Sequence, residues 1–527
     1  MRRLSAALLC AAALASACAS APKPQPAPAP APAPAAAAAK PQPAPAGDNT
    51  VGSAADEPFR AHAPAPGQKP ELVLPRFEQA KLSNGLTVIV STRKELPLVS
   101  MGVAFADGGA QDTRGKAGIS DLAYAMLLEG AGGLDAIALD NAFSDLGASP
   151  SLNVGADGAF LSTRVLTRNL EPALQLLSRV TQQPTFAPKD FDRRKKQHLK
   201  GLVQRLGSPG FLAQQAYLAQ IYGENHPYGH VSGGTPATVQ SVSLADARNW
   251  YRSHTGPRAA ALVFAGDITL ADAQALAQKY FGGWKGGAVR PKPPPAPPVP
   301  PRQAVLYVPK PGLQQTLITV GRPGLQTGHP DEYALELAST VFGGFFGSRL
   351  NMNLREAKGY TYGANASSSA RYGVGPLSAS SAVRADVTGP ALLEVMNELE
   401  GLQEHPITDK ELESAREGLV AAFPGAFDSV EGLAGSAAAL FQQDRPMDEF
   451  NRTVQGLQEA SAAEVQRVAE LYFKPELMQI VLVGDPQVIS EAVEPMRLGK
   501  LQARPVPGLP SGGAAGAPQG TAGKSKP

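Results

Sequence analysis

The chain has 527 residues, more than one domain normally holds, and 43% of them are hydrophobic, enough for sizeable cores. Charged residues make up 18% and the formal net charge is +2, a balance that gives no argument for nucleic acid or an acidic surface as partner. Both cysteines, Cys10 and Cys18, fall in the first twenty residues, so the remainder holds no disulfide and no thiolate metal ligand.

Arg2 and Arg3 form a short basic region, residues 4–14 are apolar, and Ala15-Ser16-Ala17-Cys18 follows. Residues 1–18 therefore read as a secretory signal, too short to span a membrane. A Cys after small residues resembles a bacterial lipoprotein signal, in which Cys18 becomes the acylated first residue. That signal usually has Leu three positions before the Cys, where Ala15 stands here; ordinary cleavage nearby, leaving a soluble exported protein, is the alternative. Ala19 is not the Asp that typically retains a lipoprotein in the inner membrane, so the outer membrane facing the periplasm is the expected location. Residues 19–70 are rich in Ala and Pro and cannot build a core; they read as a semi-extended, disordered tether. Residues 501–527 read as a disordered tail.

A third proline run, at 289–302, separates two segments that look like copies of one unit, 71–288 and 303–500. Leu262-Val263-Phe264-Ala265-Gly266-Asp267 returns as Ile480-Val481-Leu482-Val483-Gly484-Asp485, offset by 218. Pro172-Ala173-Leu174 and Pro390-Ala391-Leu392 open helical patterns at the same offset, and Lys189-Asp190-Phe191 matches Lys410-Glu411-Leu412 at 221. Ser243-x-x-Asp246 and Ser461-x-x-Glu464, again 218 apart, are capping-box starts of the last helix in each copy. Each copy opens with two strands, 86–91 and 99–106, then 305–308 and 316–321. Helix runs mixed with strands, without strict βαβ alternation, predict an α+β fold of two homologous α/β-sandwich domains facing each other around a cavity.

Several motifs in order give the pattern a family resemblance. Leu82-Ser83-Asn84-Gly85-Leu86, Lys116-Ala117-Gly118-Ile119, His226-Pro227-Tyr228-Gly229, Gly234-Thr235, Gly347-Ser348-Arg349-Leu350, Asn353-Leu354-Arg355-Glu356 and Gly359-Tyr360-Thr361-Tyr362 resemble the pitrilysin/insulinase family of zinc metallopeptidases over about residues 75–490. The two-domain members, such as mitochondrial processing peptidase subunits, are the most similar. Active members carry H-x-x-E-H on a helix: two His four apart share one face and bind Zn²⁺, and the Glu beside them is the general base. In this chain Asp121 stands for the first His, Tyr124 for the base and Ala125 for the second His. Lys200 falls near the downstream Glu ligand, and no Glu occurs between Glu171 and Glu224. The stretch 118–130 therefore reads as a core helix without metal.

Other zinc sites are poorly supported. His226 and His230 are four apart, but Pro227 and Gly229 break the helix that would align them. His198, in the basic stretch 193–200, reads as an exposed helix-face residue. The second-domain signature survives: the resemblance implies that Arg355 and Tyr362, seven residues apart, reach toward substrate. Arg offers a fork of donors for peptide carbonyls and Tyr a donor for a carbonyl oxygen that gains charge. From spacing alone, Arg355 pairs with Glu356 or a neighbouring acid and Tyr362 packs. Gly343, Gly344 and Gly347 read as an ordinary helix-to-helix turn.

The resemblance thus implies a non-catalytic, substrate-binding subunit of a heteromeric zinc peptidase acting on short or unfolded peptides in the bacterial cell envelope. No cofactor is expected on this chain; Zn²⁺ belongs to a partner carrying H-x-x-E-H, in a heterodimer or larger assembly. The alternative is a peptide-binding or scaffolding protein with no peptidase partner.

Overall fold

Two apolar runs of one pattern form the centres of two sheets. Ala260–Gly266 and Gln479–Gly484 are buried along their whole length. Each has strands on both sides and helices on both faces, which is why neither shows the polar alternation of a half-solvated strand. Around the first, six strands lie in the order Glu78–Lys81, Thr87–Thr92, Ala260–Gly266, Leu98–Phe105, Ala159–Leu166, Ser151–Val154. Around the second the order is Leu501–Ala503, Ala304–Pro309, Gln479–Gly484, Gln315–Pro323, Pro376–Arg384, Thr361–Ser368. This computed structural model describes residues 72–504, without 299 and 301. The expected signal, Cys18 and the tether lie outside the described residues, as do residues 505–527 of the expected tail; residues 501–503, expected to be disordered with it, instead form an edge strand because Ala304–Pro309 offers them a free parallel edge.

Five positions correspond between the sheets. Thr87–Thr92 with Ala260–Gly266, and Ala304–Pro309 with Gln479–Gly484, are the parallel pairs. The next three pairings are antiparallel in both. The sixth position differs: Glu78–Lys81 runs antiparallel to its neighbour, whereas Leu501–Ala503 runs parallel. The helices keep the repeat: Leu170–Gln182 matches Thr388–Glu404, Pro188–Arg205 matches Asp409–Ala426, and Leu244–His254 matches Ala462–Tyr472. Both capping boxes form. The Asp246 N–H donates to Ser243 Oγ at 3.1 Å and the Ser243 N–H to the Asp246 carboxylate at 2.9 Å. At Ser461 and Glu464 the same distances are 3.2 and 2.9 Å.

One face of each sheet packs on helices of its own half; the other face is covered by a helix from the opposite half. Val430–Gln442 sets Leu433, Ala434, Ala437 and Ala438 against Ile89, Ala261, Val263 and Ala265. Pro209–Tyr222 sets Leu212, Ala213 and Ala216 against Leu306, Val308, Val481 and Val483. The alanines let helix and sheet backbones approach closely. The expected sandwiches therefore exist, but each is completed by the other's helix, and the described residues form one compact unit. A cleft opens on the seam between the halves as well.

The proline run does not hang free between the halves. Tyr372 Oη donates to the Pro291 carbonyl at 2.8 Å, His226 Nε2 meets the Pro295 carbonyl at 2.8 Å, and Arg290 donates to the carbonyls of Phe441 and Gln442 at 2.6 and 3.2 Å. Among the described residues no helix is long and apolar enough to cross a membrane.

Candidate functional site

The helix Ile119–Ala125 carries the three residues that stand for the family's metal motif. It starts at Gly118, whose φ of +94° favours glycine and where a Cβ would sit 2.5 Å from the Gly233 carbonyl oxygen. Asp112 braces this start: its carboxylate accepts the N–H groups of Gly118 at 2.5 Å and Ser120 at 3.0 Å. The spacing does place Asp121 and Ala125 on adjacent turns, as expected, but what surrounds them is no metal cage.

Tyr124 is fully buried. Its ring lies 5.0 Å from Phe105, 5.4 Å from Trp250 and 6.1 Å from Tyr251, centroid to centroid, and its hydroxyl donates to the Asp107 carbonyl at 2.9 Å. Burial, reinforced by nearby Asp107, pushes its ionisation well above the ordinary tyrosine range, so no base is available here. Ala125 has no donor atom. Asp121 accepts the Gly233 N–H and lies near Arg205; burial nonetheless raises its pKa to about 6, and one carboxylate oxygen has no hydrogen-bond partner among the described residues.

Lys200 is exposed. The residues of Pro188–Arg205 that approach Asp121 and the Gly233 loop are His198 and Arg205. His198 is not the exposed helix-face residue expected from its basic neighbours. It is partly buried, its Nε2 lies 2.7 Å from the Gly233 carbonyl, and burial lowers its pKa. The stretch 193–200 looked uniformly solvated because the charges of Arg193 and Arg194 hide their destination. Both reach the buried carboxylate of Glu129. A lone carboxylate, an alanine, a caged tyrosine and a cation do not fit zinc. Among the described residues no three of His, Cys, Asp and Glu are grouped to hold a metal ion.

His226 and His230 sit in a turn, as the intervening Pro and Gly dictate. His226 stacks on Tyr222, with centroids 5.1 Å apart, and its Nδ1 accepts the Tyr228 N–H at 3.0 Å. The residues Gly343 and Gly344 close a wide, π-helical turn, Thr340–Gly344. A Cβ on Gly343 would lie 2.8 Å from the Ala366 backbone nitrogen, so this glycine answers to packing.

Arg355 and Tyr362 are surface groups. Arg355 pairs with Glu356 at 3.4 Å, as spacing alone suggests, and lies over the Phe346 ring at 4.2 Å from the centroid. Tyr362 does not pack: it is 92% exposed. Local structure holds both. Arg355 lies in the turn Met352–Ala357, and Tyr362 is the second residue of the edge strand Thr361–Ser368, where the register slips between Thr361 and Ala364. Asn351 ties turn to strand: its side-chain N–H groups donate to the carbonyls of Phe345 and Ala364 at 3.1 and 2.8 Å, and its oxygen accepts the Ala364 N–H at 2.9 Å. Sequence reasoning passed over Asn351. The signal available was a polar residue inside an apolar helix pattern, which asks for hydrogen-bond partners.

Comparison with known proteins follows the same outline. The family description "Insulinase (Peptidase family M16)" matches residues 87–207, and "Peptidase M16 inactive domain" matches 241–419, together more than half of the chain. An "uncharacterized zinc protease" of Bacillus subtilis is 22% identical over 390 residues, 73% of this chain and 92% of that protein. A "non-peptidase homolog" of Helicobacter pylori is 21% identical over 372 residues, 70% of this chain and 84% of that protein. A crystal structure described as a peptidase M16 inactive domain from Pseudomonas fluorescens superposes with a TM-score of 0.72 at 26% identity, covering 78% of this chain and 98% of that one. With both halves matched in order and the motif helix stripped of its ligands, the chain belongs to the insulinase family, peptidase family M16, as an inactive member.

Proposed function

We propose that the chain is the non-catalytic, substrate-binding subunit of a heteromeric zinc peptidase in the bacterial cell envelope, anchored through Cys18 and the 19–70 tether. One asymmetry carries this reading. The former metal helix is closed by an aromatic cluster around Tyr124, whereas Arg355 and Tyr362 stand exposed on a turn and strand held by Asn351. An exposed tyrosine hydroxyl, and a guanidinium held only by a surface pair with Glu356 at 3.4 Å, are suited to peptide carbonyl groups brought by a substrate. The metal, the base and the H-x-x-E-H helix belong to the partner, and short or unfolded peptides in extended form are the substrate class.

The test is zinc content and cleavage of an unfolded peptide, first by the chain alone and then after mixing with a metal-motif homologue from the same cell. The reading requires no zinc and no cleavage alone, activity on mixing, and collapse of that activity in Arg355→Ala or Tyr362→Ala. Stoichiometric zinc or cleavage by the chain alone overturns it. Activity on mixing that ignores both substitutions turns the assignment to the scaffolding alternative.

A further inference from the structure

We propose that the cleft on the seam between the halves binds the free C-terminal carboxylate of a short peptide, with Arg114 as its counter-charge. The inference rests on the peptide-binding reading above, but it concerns a site away from Arg355 and Tyr362. The cleft encloses about 430 Å³, the size of a small-ligand pocket. Its walls join the loop before the motif helix, the exchanged helix Pro209–Tyr222, the His226–His230 turn, and Val308 and Arg504 from the C-terminal half.

The floor is apolar. Leu212, Ala216 and Ala219 of the exchanged helix and Val308 of the neighbouring strand line it. Small side chains there leave room for an aliphatic residue of a ligand, whose burial favours binding at roughly 25 cal/mol per Å².

The charges around the rim are not equally free. Arg504 and Glu224 spend themselves on each other at 2.6 Å. Asp112 has both carboxylate oxygens taken by the Gly118 and Ser120 N–H groups. Arg114 makes no ion pair among the described residues; its one hydrogen bond is a long contact of 3.4 Å to the Asn225 side-chain oxygen. His230 is similarly idle: its Nδ1 lies 3.4 Å from the Val231 carbonyl, and its Nε2 has no partner among the described residues. The uncommitted titratable groups on the rim, among the described residues, are thus a guanidinium and an imidazole beside an apolar floor. A guanidinium matches a carboxylate in shape and charge, and the imidazole can meet the adjoining peptide amide. A peptide's final residue supplies an aliphatic side chain, an amide and a carboxylate together.

Isothermal titration on the full chain tests this with N-acetyl-leucyl-alanyl-valine as the free acid and as its C-terminal amide. The free acid should bind one to one and the amide about tenfold more weakly, the loss of one charge-assisted hydrogen-bonded pair. Arg114→Gln, at an exposed position that carries no packing, should bring the acid down to the amide's affinity and leave the amide unchanged. Ala219→Trp, on the same helix but outside its packed contact with the sheet, should fill the floor and abolish both. Equal binding of acid and amide, no binding of either, or a preference for the acid that survives Arg114→Gln overturns the proposal. Its failure is separable from that of the subunit reading: loss of mixed-complex activity in Arg355→Ala does not depend on the cleft, and acid-selective binding does not depend on a peptidase partner.

Discussion

Replacing Tyr124 separates the two things it does where a catalytic base once stood. Tyr124→Phe keeps the ring among Phe105, Trp250 and Tyr251 and removes only the 2.9 Å hydrogen bond to the Asp107 carbonyl. That bond and the acceptor left behind are worth about 1 kcal/mol, about a fivefold change in the unfolding equilibrium. Tyr124→Ala removes the ring as well from a site of zero exposure, and should cost about 3–5 kcal/mol, the range for deleting a buried aromatic. Urea unfolding followed by fluorescence, with Trp250 as a reporter 5.4 Å away, should show a small fall in midpoint for the first variant and a several-fold larger one for the second. A Tyr124→Ala protein as stable as the parent, or one less affected than Tyr124→Phe, would refute the view that this helix has become a core element. The companion experiment restores the motif. Asp121→His with Tyr124→Glu and Ala125→His should still bind no stoichiometric zinc, because the imidazole that Pro188–Arg205 brings near that helix, His198, is held on the Gly233 carbonyl, and the Arg205 charge beside residue 121 opposes a cation.

Asp107 has its pKa raised to about 7 by burial, with Arg290 opposing the shift. A carboxyl that holds its proton more tightly when folded adds stability below the unfolded value of 3.8 and loses it as pH rises through about 7; thermal melts should therefore show Asp107→Asn gaining on the parent between pH 4 and pH 8. Glu129 is 3% exposed and held by Arg193 and Arg194, so Arg193→Ala with Arg194→Ala should lower stability by about 3 kcal/mol or more by stranding a buried charge, read by urea unfolding. Ser243→Ala and Ser461→Ala should each cost about 1 kcal/mol, and the double variant the sum, because the two caps stabilise separate helices in separate halves of the repeat. A double variant far from additive would show that the halves are coupled at those helices.

Much of this protein was determined by sequence alone, and the reason is local. The two buried strands, the pair of capping boxes and the 218-residue spacing are properties of short segments, and short segments report their own hydrogen-bonding and burial needs. The loss at Asp121, Tyr124 and Ala125 is equally local, since metal ligation depends on which atoms a helix face carries. Tertiary structure decided what no local pattern encodes. That Val430–Gln442 completes the N-terminal sheet and Pro209–Tyr222 the C-terminal one follows from which apolar faces meet after the chain closes on itself, and an Ala-rich helix reads the same whichever sheet it covers. His198 looked solvated because its neighbours are charged, yet the fold brings the Gly233 carbonyl to its ring. Spacing alone would have Tyr362 pack, and only the resemblance set it outward; in the fold it stands exposed beside a register slip on an edge strand. Side-chain fate at these positions is set by contacts between residues far apart in sequence, and those contacts exist only once the two halves have interlocked.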